Sequence, residues 1–404
     1  MIRWRPALAI FVLALSVRAP AALWGTKHET FGRGEVENVA VALCQDSAFA
    51  RVWRQAGGPT AHVAPIYPLI LSAVPCSFGV TPEASAAASV LACVLMALQF
   101  SLFPWVACAL GLPRRLGIIG GILGAALPIQ FWAQTSGSWE APLAGVLLIV
   151  SMGTGVRIWQ RSFGWWHAAG AGLLWGLASL TMPTLLPFLI SLGLIGAWRQ
   201  PAMIARFAVL AGCWVSVLFP WAVRNRLELG EWIWTRSNFG MELALANHEY
   251  ALADGDGEIA ITSSHPYHDL DERSKILEMG EAAYNRQKME QALAWMRTNP
   301  GVFTELAARR VALFWFPELR WQVQTGAVQV VTVLGFAGLL LWWIRMGGDG
   351  PRMAGLLLVL FPLPYYLVLP LARYRTPVEW LLFLLCAIVV APRTAPGPQS
   401  RHAP

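Results

Sequence analysis

Two carboxylates one residue apart, Glu35 and Glu37, stand in the run Gly34-Glu35-Val36-Glu37-Asn38, and a proline-punctuated stretch from Gly58-Pro59-Thr60 through His62 to Tyr67-Pro68 follows them. A carboxylate held at a membrane surface can take a proton from a sugar or other hydroxyl, and a general base of this kind is worth about 10²–10⁴ in rate. The same pair also fits a short helix beginning near Gly34, with both side chains simply solvated. Residue types alone leave both readings open.

A second group could hold an anion. Arg373-Tyr374-Arg375, together with Arg224 and Arg226, stands at the ends of hydrophobic runs expected to reach the outer face, against the usual bias of basic residues toward the cytoplasm. Guanidinium groups grip phosphate bidentately, although a single arginine there can equally snorkel to headgroups. Arg18, near the outer end of the first run, reads as a snorkelling residue. Glu140 opens a hydrophobic run after Thr135-Ser136-Gly137-Ser138-Trp139. An acid at that lip is costly and often functional, and it also suits the positive end of its own helix.

Metal chemistry has weaker support. His265, His268 and Asp269, and the calcium-loop-like Asp254-Gly255-Asp256-Gly257-Glu258, read as loop and turn chemistry, because the EF-hand spacing is absent. No Cys/His spacing suggests zinc, and no Walker loop, GxSxG elbow or HExxH occurs. No metal ligand is therefore assigned and no cofactor is named, while a divalent metal stays open.

These residues are carried by a chain that is 56% hydrophobic and 13% charged, with a mean hydropathy of +0.51. Soluble domains average about 25% charged residues. Hydrophobic runs near the ~20 residues needed to cross a hydrocarbon core recur along it, so the expected fold is an all-α polytopic membrane protein. About ten spans are expected: the first run, which could also be read as a cleaved signal peptide, then 84–112, 116–134, 141–156, 165–181, 185–198, 207–223, 323–344, 353–371 and 378–391. The run 63–79 carries Pro65, Pro68 and Pro75; proline costs about 3 kcal/mol inside a helix, so this run is expected to lie on the surface. With that choice Arg3/Arg5, Arg114/Arg115, Arg157/Arg161, Arg199/Arg206, Arg345/Arg352 and Arg393 all face the cytoplasm, as the positive-inside rule requires. The formal net charge of +7 is spread along these flanks, which excludes a nucleic-acid partner.

The expected organisation is a transmembrane core over 1–223 with a first outer loop at 25–83, an outer segment over 224–322, final spans over 323–391, and a disordered tail at 392–404. In the outer segment an amphipathic helix is expected over 270–298, broken by Asn299-Pro300-Gly301, then a second helix over 301–316 with Trp315 and Phe316 at the membrane interface. Cys93, Cys108, Cys213 and Cys386 fall in apolar runs as packing residues. Cys44 and Cys76 share the first outer loop and could pair in an oxidising compartment.

The order of these features resembles the GT-C glycosyltransferases, specifically bacterial members similar to the dolichyl-phosphate-mannose protein mannosyltransferase and aminoarabinose transferase families (glycosyltransferase family 39). Glu35-Val36-Glu37-Asn38-Val39-Ala40 resembles the acidic first-loop motif, and Gly58 to Pro68 the stretch after it. Pro220-Trp221-Ala222-Val223-Arg224-Asn225 is similar to a "PW-x-x-RN" segment, Ser237-Asn238-Phe239-Gly240 and Asn247 to the short motif beyond. Tyr365-Tyr366 followed by Ala372-Arg373-Tyr374-Arg375-Thr376-Pro377 resembles the late "ARYR-x-P" signature. The chain departs by carrying glutamate where aspartate is common in the first loop, and Met182 where relatives often carry a basic residue.

The resemblance implies a GT-C-like bundle with outer-face loop helices, in the plasma (inner) membrane with the site facing the periplasm or exterior. It implies an inverting glycosyltransferase that moves a sugar from a polyprenyl-phosphate donor to a hydroxyl on a lipid, glycan or protein acceptor. Glu35 would be the base with Glu37 beside it. Arg373, Arg375 and Arg224 would hold the donor phosphate, and Tyr67, Glu140, Asn238 and Tyr374 would contact substrate. The alternatives are a non-catalytic membrane scaffold and a lipid or sugar transporter; the gathering of charges at one face and the lack of an inverted repeat count against the latter.

Overall fold

Within lipid, backbone groups can be satisfied only inside helices or closed barrels, and the apolar runs here take the first solution. The computed structural model describes residues 4–27, 29–53, 57–160, 163–253, 263–319 and 322–391. Among the described residues the chain is all-α, and a single bridge between Ala50 and Pro59 is the nearest approach to a strand. Arg3, Arg161, Arg393, the run 254–258 and the tail 392–404 lie outside the described residues.

From the N-terminus, α1 (Arg5–Gly25) leads to three short helices, α2 (Glu35–Asp46), α3 (Ile66–Leu71) and α4 (Ala73–Phe78). α5 (Pro82–Ser101) runs almost directly into α6 (Phe103–Ala109), followed by α7 (Arg114–Ala126), α8 (Phe131–Thr135), α9 (Ala141–Gln160), α10 (Trp165–Thr181), α11 (Leu186–Arg199) and α12 (Ile204–Leu229). A more polar section holds α13 (Phe239–Ala246), α14 (Leu270–Met279), α15 (Glu281–Thr298) and α16 (Pro300–Trp315). The last helices are α17 (Gln322–Arg345), α18 (Asp349–Leu360), α19 (Leu363–Leu367) and α20 (Thr376–Val390).

Among the described residues five helical stretches are long and apolar enough to cross a membrane: Arg5–Gly25, Pro82–Ala109, Ala141–Gln160, Pro201–Leu229 and Gln322–Arg345. The other five expected spans are shorter, with α18 the shortest at 12 residues and α10 the longest at 17. At about 1.5 Å per residue these cover less than a full hydrocarbon core. They survive because neighbours surround them. α20 is buried continuously from Thr376 to Ala387, wrapped by α7, α9 and α17. Gly338 of α17 lies so close to the Leu385 carbonyl that a Cβ would overlap it, so α17 and α20 meet backbone to backbone.

The run 63–79 forms α3 and α4, each only six residues long, packed on α2. Cys44 of α2 and Cys76 of α4 form a disulfide with Cα atoms 5.4 Å apart. The single amphipathic helix expected over 270–298 is instead two, because Gly280 adopts φ +81° and turns the chain between α14 and α15. α16 starts on Pro300, where the missing N–H costs nothing. Trp315 is not at an interface as expected: it is buried, and its indole N–H donates to the Tyr366 hydroxyl at 2.9 Å.

Two hydrophobic clusters organise the molecule. The larger fills the bundle, and the smaller joins Phe31, Val39, Trp53 and Tyr67 of the first loop to Leu180 and Trp221 at one end of the bundle and Tyr284 of α15. The first loop is therefore a docked layer across that end.

Candidate active site

Glu35 and Glu37 open α2, where acidic side chains favour the helix dipole. Residues two apart on a helix point to opposite sides, so the two carboxylates part company. Glu37 is buried, its Oε2 accepting the Gly32 and Arg33 N–H groups at 2.9 and 2.8 Å and its Oε1 the Ser138 hydroxyl. With both oxygens occupied, Glu37 is a staple between α2 and the 135–140 loop. This corrects the expectation of a second catalytic carboxylate.

Glu35 instead faces His62 and His265. Its Oε1 lies 3.2 Å from His62 Nε2 and 3.5 Å from His265 Nε2. Burial works to raise its pKa, but His62, with His265 and Arg236 behind it, outweighs burial and holds the carboxyl far below the usual carboxylate range. Burial likewise opposes a charged His62, yet Glu35 and then Glu281 raise its pKa above the ordinary histidine value. His62 is fully buried, edge-on to Trp53 with ring centroids 4.6 Å apart.

The backbone carrying His62 is clamped on every side. Glu281, at the first turn of α15, accepts the Thr60 and Ser237 hydroxyls and the Ala61 N–H. Ser237 N–H donates to the Ala61 carbonyl, and Arg236 Nε to the His62 carbonyl at 2.9 Å. Arg224 Nη1 and Nη2 donate to the Thr60 and Phe49 carbonyls, each at 2.7 Å, while its guanidinium lies over Phe49 and Trp221. Arg224 is thus a bracket for the first loop, which corrects its assignment to a phosphate.

Across the site, the 135–140 loop presents a second set of groups. Gly137 lies flat on α5, where a Cβ would overlap Ala88, and its carbonyl accepts the hydroxyl of the fully buried Tyr67 at 2.8 Å. Tyr67 supports the loop from below. Glu140 lies 3.5 Å from Arg236 Nη1. The Arg373 guanidinium stacks on Trp139, 3.9 Å from the ring centroid, and lies 5.2 Å from the Tyr374 ring. Tyr374 stacks in turn on Tyr365 at 4.7 Å, whose hydroxyl pairs with Thr184 at 3.1 Å. Arg373 Nε is buried without a hydrogen-bond partner.

Arg375 behaves oppositely. It is fully buried and bonded to Glu379, the Trp315 carbonyl and Thr332. Residues 372–375 form a 3₁₀ turn, and with about three residues per turn Arg373 and Arg375 project in different directions. Arg375 is therefore corrected from a phosphate contact to an internal tie. Asn238 precedes α13 and donates to Glu242 at 3.1 Å, and Met182 is buried in the main core. Arg18 is also fully buried rather than snorkelling.

His62 and Arg236 carried no role in the sequence and His265 only that of turn chemistry, yet all three lie against Glu35 or hold the backbone beside it. Asp269 does act as turn chemistry, capping α14 by accepting the Asp271 and Glu272 N–H groups. His265 does more than turn the chain, because it meets Glu35.

The chain is similar to the crystal structure of the Archaeoglobus fulgidus oligosaccharyltransferase in complex with zinc and sulfate, with a TM-score of 0.54, 14% identity, and coverage of 94% of this chain and 48% of that one. At that identity the likeness is one of fold, an all-α polytopic architecture. The chain spans about half the length of that archaeal enzyme. No family model matches the chain, and no curated protein does.

A carboxylate flanked by two histidines makes a metal worth testing against the residues. Glu35, His62 and His265 offer one ligand atom each, all within 4.8 Å of one another. Glu35 Oε1 and His62 Nε2 are buried and, although 3.2 Å apart, lack hydrogen-bond geometry. Two imidazoles and a carboxylate form a donor set suited to zinc. His265 fits least directly, since the Tyr267 N–H donates to its Nδ1 at 3.2 Å, leaving the proton of a neutral ring on Nε2. An ion at Nε2 requires that contact to open.

Proposed function

We propose that this protein is an inverting glycosyltransferase that takes a sugar from a polyprenyl-phosphate donor and places it on a hydroxyl acceptor. The observation that carries this reading is Glu35, held ionised and free of any backbone tie, in a GT-C-type bundle whose Arg373 has no carboxylate partner among the described residues.

The donor phosphate binds against Arg373, which Trp139 holds in place from one side, while Arg236 is partly neutralised by Glu140. The acceptor hydroxyl approaches Glu35. Both histidines contact Oε1, which leaves Oε2 to take the proton as the acceptor oxygen attacks the anomeric carbon. The carbon–oxygen bond to phosphate breaks on the opposite face, and the electron pair leaves with the phosphate. Arg373 stabilises the charge that develops there, the contribution that is usually largest in such reactions. Glu35, His62 and His265 would hold a divalent ion if one is used, and that ion would supply positive charge beside the acceptor oxygen.

Tyr374, beside Arg373 and backed by Tyr365, would contact the donor sugar. The site faces the periplasm or exterior. Support comes from the Cys44–Cys76 disulfide in the docked loop, since such bonds persist in oxidising compartments, and from the arginines flanking the opposite helix ends.

The test offers purified protein in lipid a panel of polyprenyl-phosphate sugars with candidate acceptors, and reads free polyprenyl phosphate by mass spectrometry and product anomer by NMR. Release from one donor with inverted configuration is expected. Retained configuration, or no donor bound or cleaved by any member, contradicts the proposal.

A further inference from the structure

Inside the bundle runs a chain of charged and amide side chains that the proposed reaction does not use. Arg18 of α1 donates from Nη1 and Nη2 to the Ala125 and Gly124 carbonyls at 2.7 and 2.8 Å. These are acceptors left open at the C-terminus of α7. Its Nε donates to Gln134 Oε1 at 3.0 Å, and its guanidinium lies 4.8 Å from the Phe100 ring centroid. Gln134 Nε2 reaches Glu379 Oε2 at 3.4 Å, and Gln130 Nε2 donates to Glu379 Oε1. Glu379 Oε1 lies 3.2 Å from Arg375 Nε. Arg375 then donates to the Trp315 carbonyl at the end of α16 at 2.8 Å, and to Thr332 of α17 at 3.0 Å.

Burying ionised groups costs several kcal/mol each, and intramembrane charges are rare without a functional reason. Capping two helix ends would explain each arginine alone. It does not explain why Gln130, Gln134 and Glu379 join them into one line. The location does. Gln134 stands four residues before Ser138 and five before Trp139, and Arg375 two residues after Arg373. The network thus grips the roots of the two loops whose tips meet where Arg373 stacks on Trp139.

We propose that the Arg18–Gln134–Glu379–Arg375 network is a positioning device that fixes the 135–140 and 372–375 segments relative to each other and so aims Arg373 at the donor phosphate. Glu379 is the pivot, because it joins the Arg18 half of the line to the Arg375 half, through the two glutamines on one side and Arg375 on the other. None of the four touches substrate. The inference rests on the reading of Arg373 as the phosphate contact.

The test titrates farnesyl phosphate, a short polyprenyl phosphate, by calorimetry into full-length protein in nanodiscs. Wild type, Arg373→Ala, Glu379→Gln and the double variant are compared, with thermal unfolding measured in parallel. Glu379→Gln keeps the shape and removes the charge. It is expected to weaken binding about tenfold, while the double variant binds no more weakly than Arg373→Ala alone. That non-additivity separates positioning through Arg373 from a general loss of stability. Should Glu379→Gln fail to fold, the near-isosteric Thr332→Val removes one acceptor from Arg375 and is expected to weaken binding about threefold. Unchanged affinity in the folded variant, or losses that multiply in the double variant, overturns the positioning role and leaves the function proposal standing. Wild-type affinity in Arg373→Ala overturns the phosphate reading itself and the positioning role with it.

Discussion

Arg373 and Trp139 come from segments more than two hundred residues apart in sequence, yet the guanidinium carbon lies over the indole, 3.9 Å from its centroid. A cation on an aromatic face gains about 0.5–2 kcal/mol, and the face fixes the plane in which two N–H groups are offered. Replacing Arg373 by lysine keeps the charge and discards the fork. We expect Arg373→Lys to weaken donor binding by about tenfold or more, and Trp139→Ala to do so more mildly. Donor affinities in lipid nanodiscs check both, and equal affinities for lysine and arginine contradict the assignment.

Metal affinity should depend on pH with a definite sign. An ion can bind His62 only when the ring is unprotonated. Burial opposes the charged ring, but Glu35 and Glu281 raise its pKa above the ordinary histidine value, so protons compete with an ion for the ring. Zinc binding by calorimetry is expected to tighten as pH rises through that raised value, and to weaken sharply in His62→Ala. Binding that is flat with pH, or indifferent to His62, excludes this residue as a ligand.

The Cys44–Cys76 bridge closes a loop with a sequence separation of 32. Chain-entropy arithmetic for a loop of that size gives about 3–4 kcal/mol. Cys44→Ser, or mild reduction, is expected to lower the thermal stability of the docked layer and to expose α2 to protease before the bundle unfolds. Identical unfolding curves with and without reductant contradict this.

A second pH effect lies away from the site. Glu272 is partly desolvated, which works to raise its pKa, but Lys275, Lys288 and the Tyr284 hydroxyl bind its carboxylate and pull the value down to about 2. A carboxyl with a depressed folded-state pKa stabilises above its unfolded value and loses that contribution as pH falls. The α14–α15 pair should therefore loosen between roughly pH 4.5 and 2, and Glu272→Gln should flatten that limb. Hydrogen exchange at Leu270–Met279 reads it directly.

The bundle was legible because apolar runs of about 20 residues have few other uses, and the prolines in 63–79, expected to keep that run on the surface, accompany its division into the short helices α3 and α4. Shorter spans such as α20 were legible as apolar runs, but not their dependence on surrounding helices. The site was legible only in part. Glu35 stood out by its motif, and a short helix near Gly34 was legible too, but what tells it from Glu37 is that one meets His62 and His265 and the other Ser138, partners remote in sequence. Arg373 and Arg375 look equivalent in sequence, and only the 3₁₀ turn at Ala372–Arg375 sends one toward Trp139 and the other toward Glu379. His62 and His265 could not be paired from spacing, since 203 positions separate them. Arg236 stands immediately before a recognised patch and was passed over, and its tie to the His62 carbonyl exists only in three dimensions.

The central claim is that Glu35 is the base, and a single-turnover comparison of wild type with Glu35→Gln tests it most directly. Donor affinity should stay near the wild-type value, since Arg373 is untouched, while the transfer rate falls by about 10²–10⁴. A folded Glu35→Gln protein that transfers sugar at a wild-type rate contradicts the account.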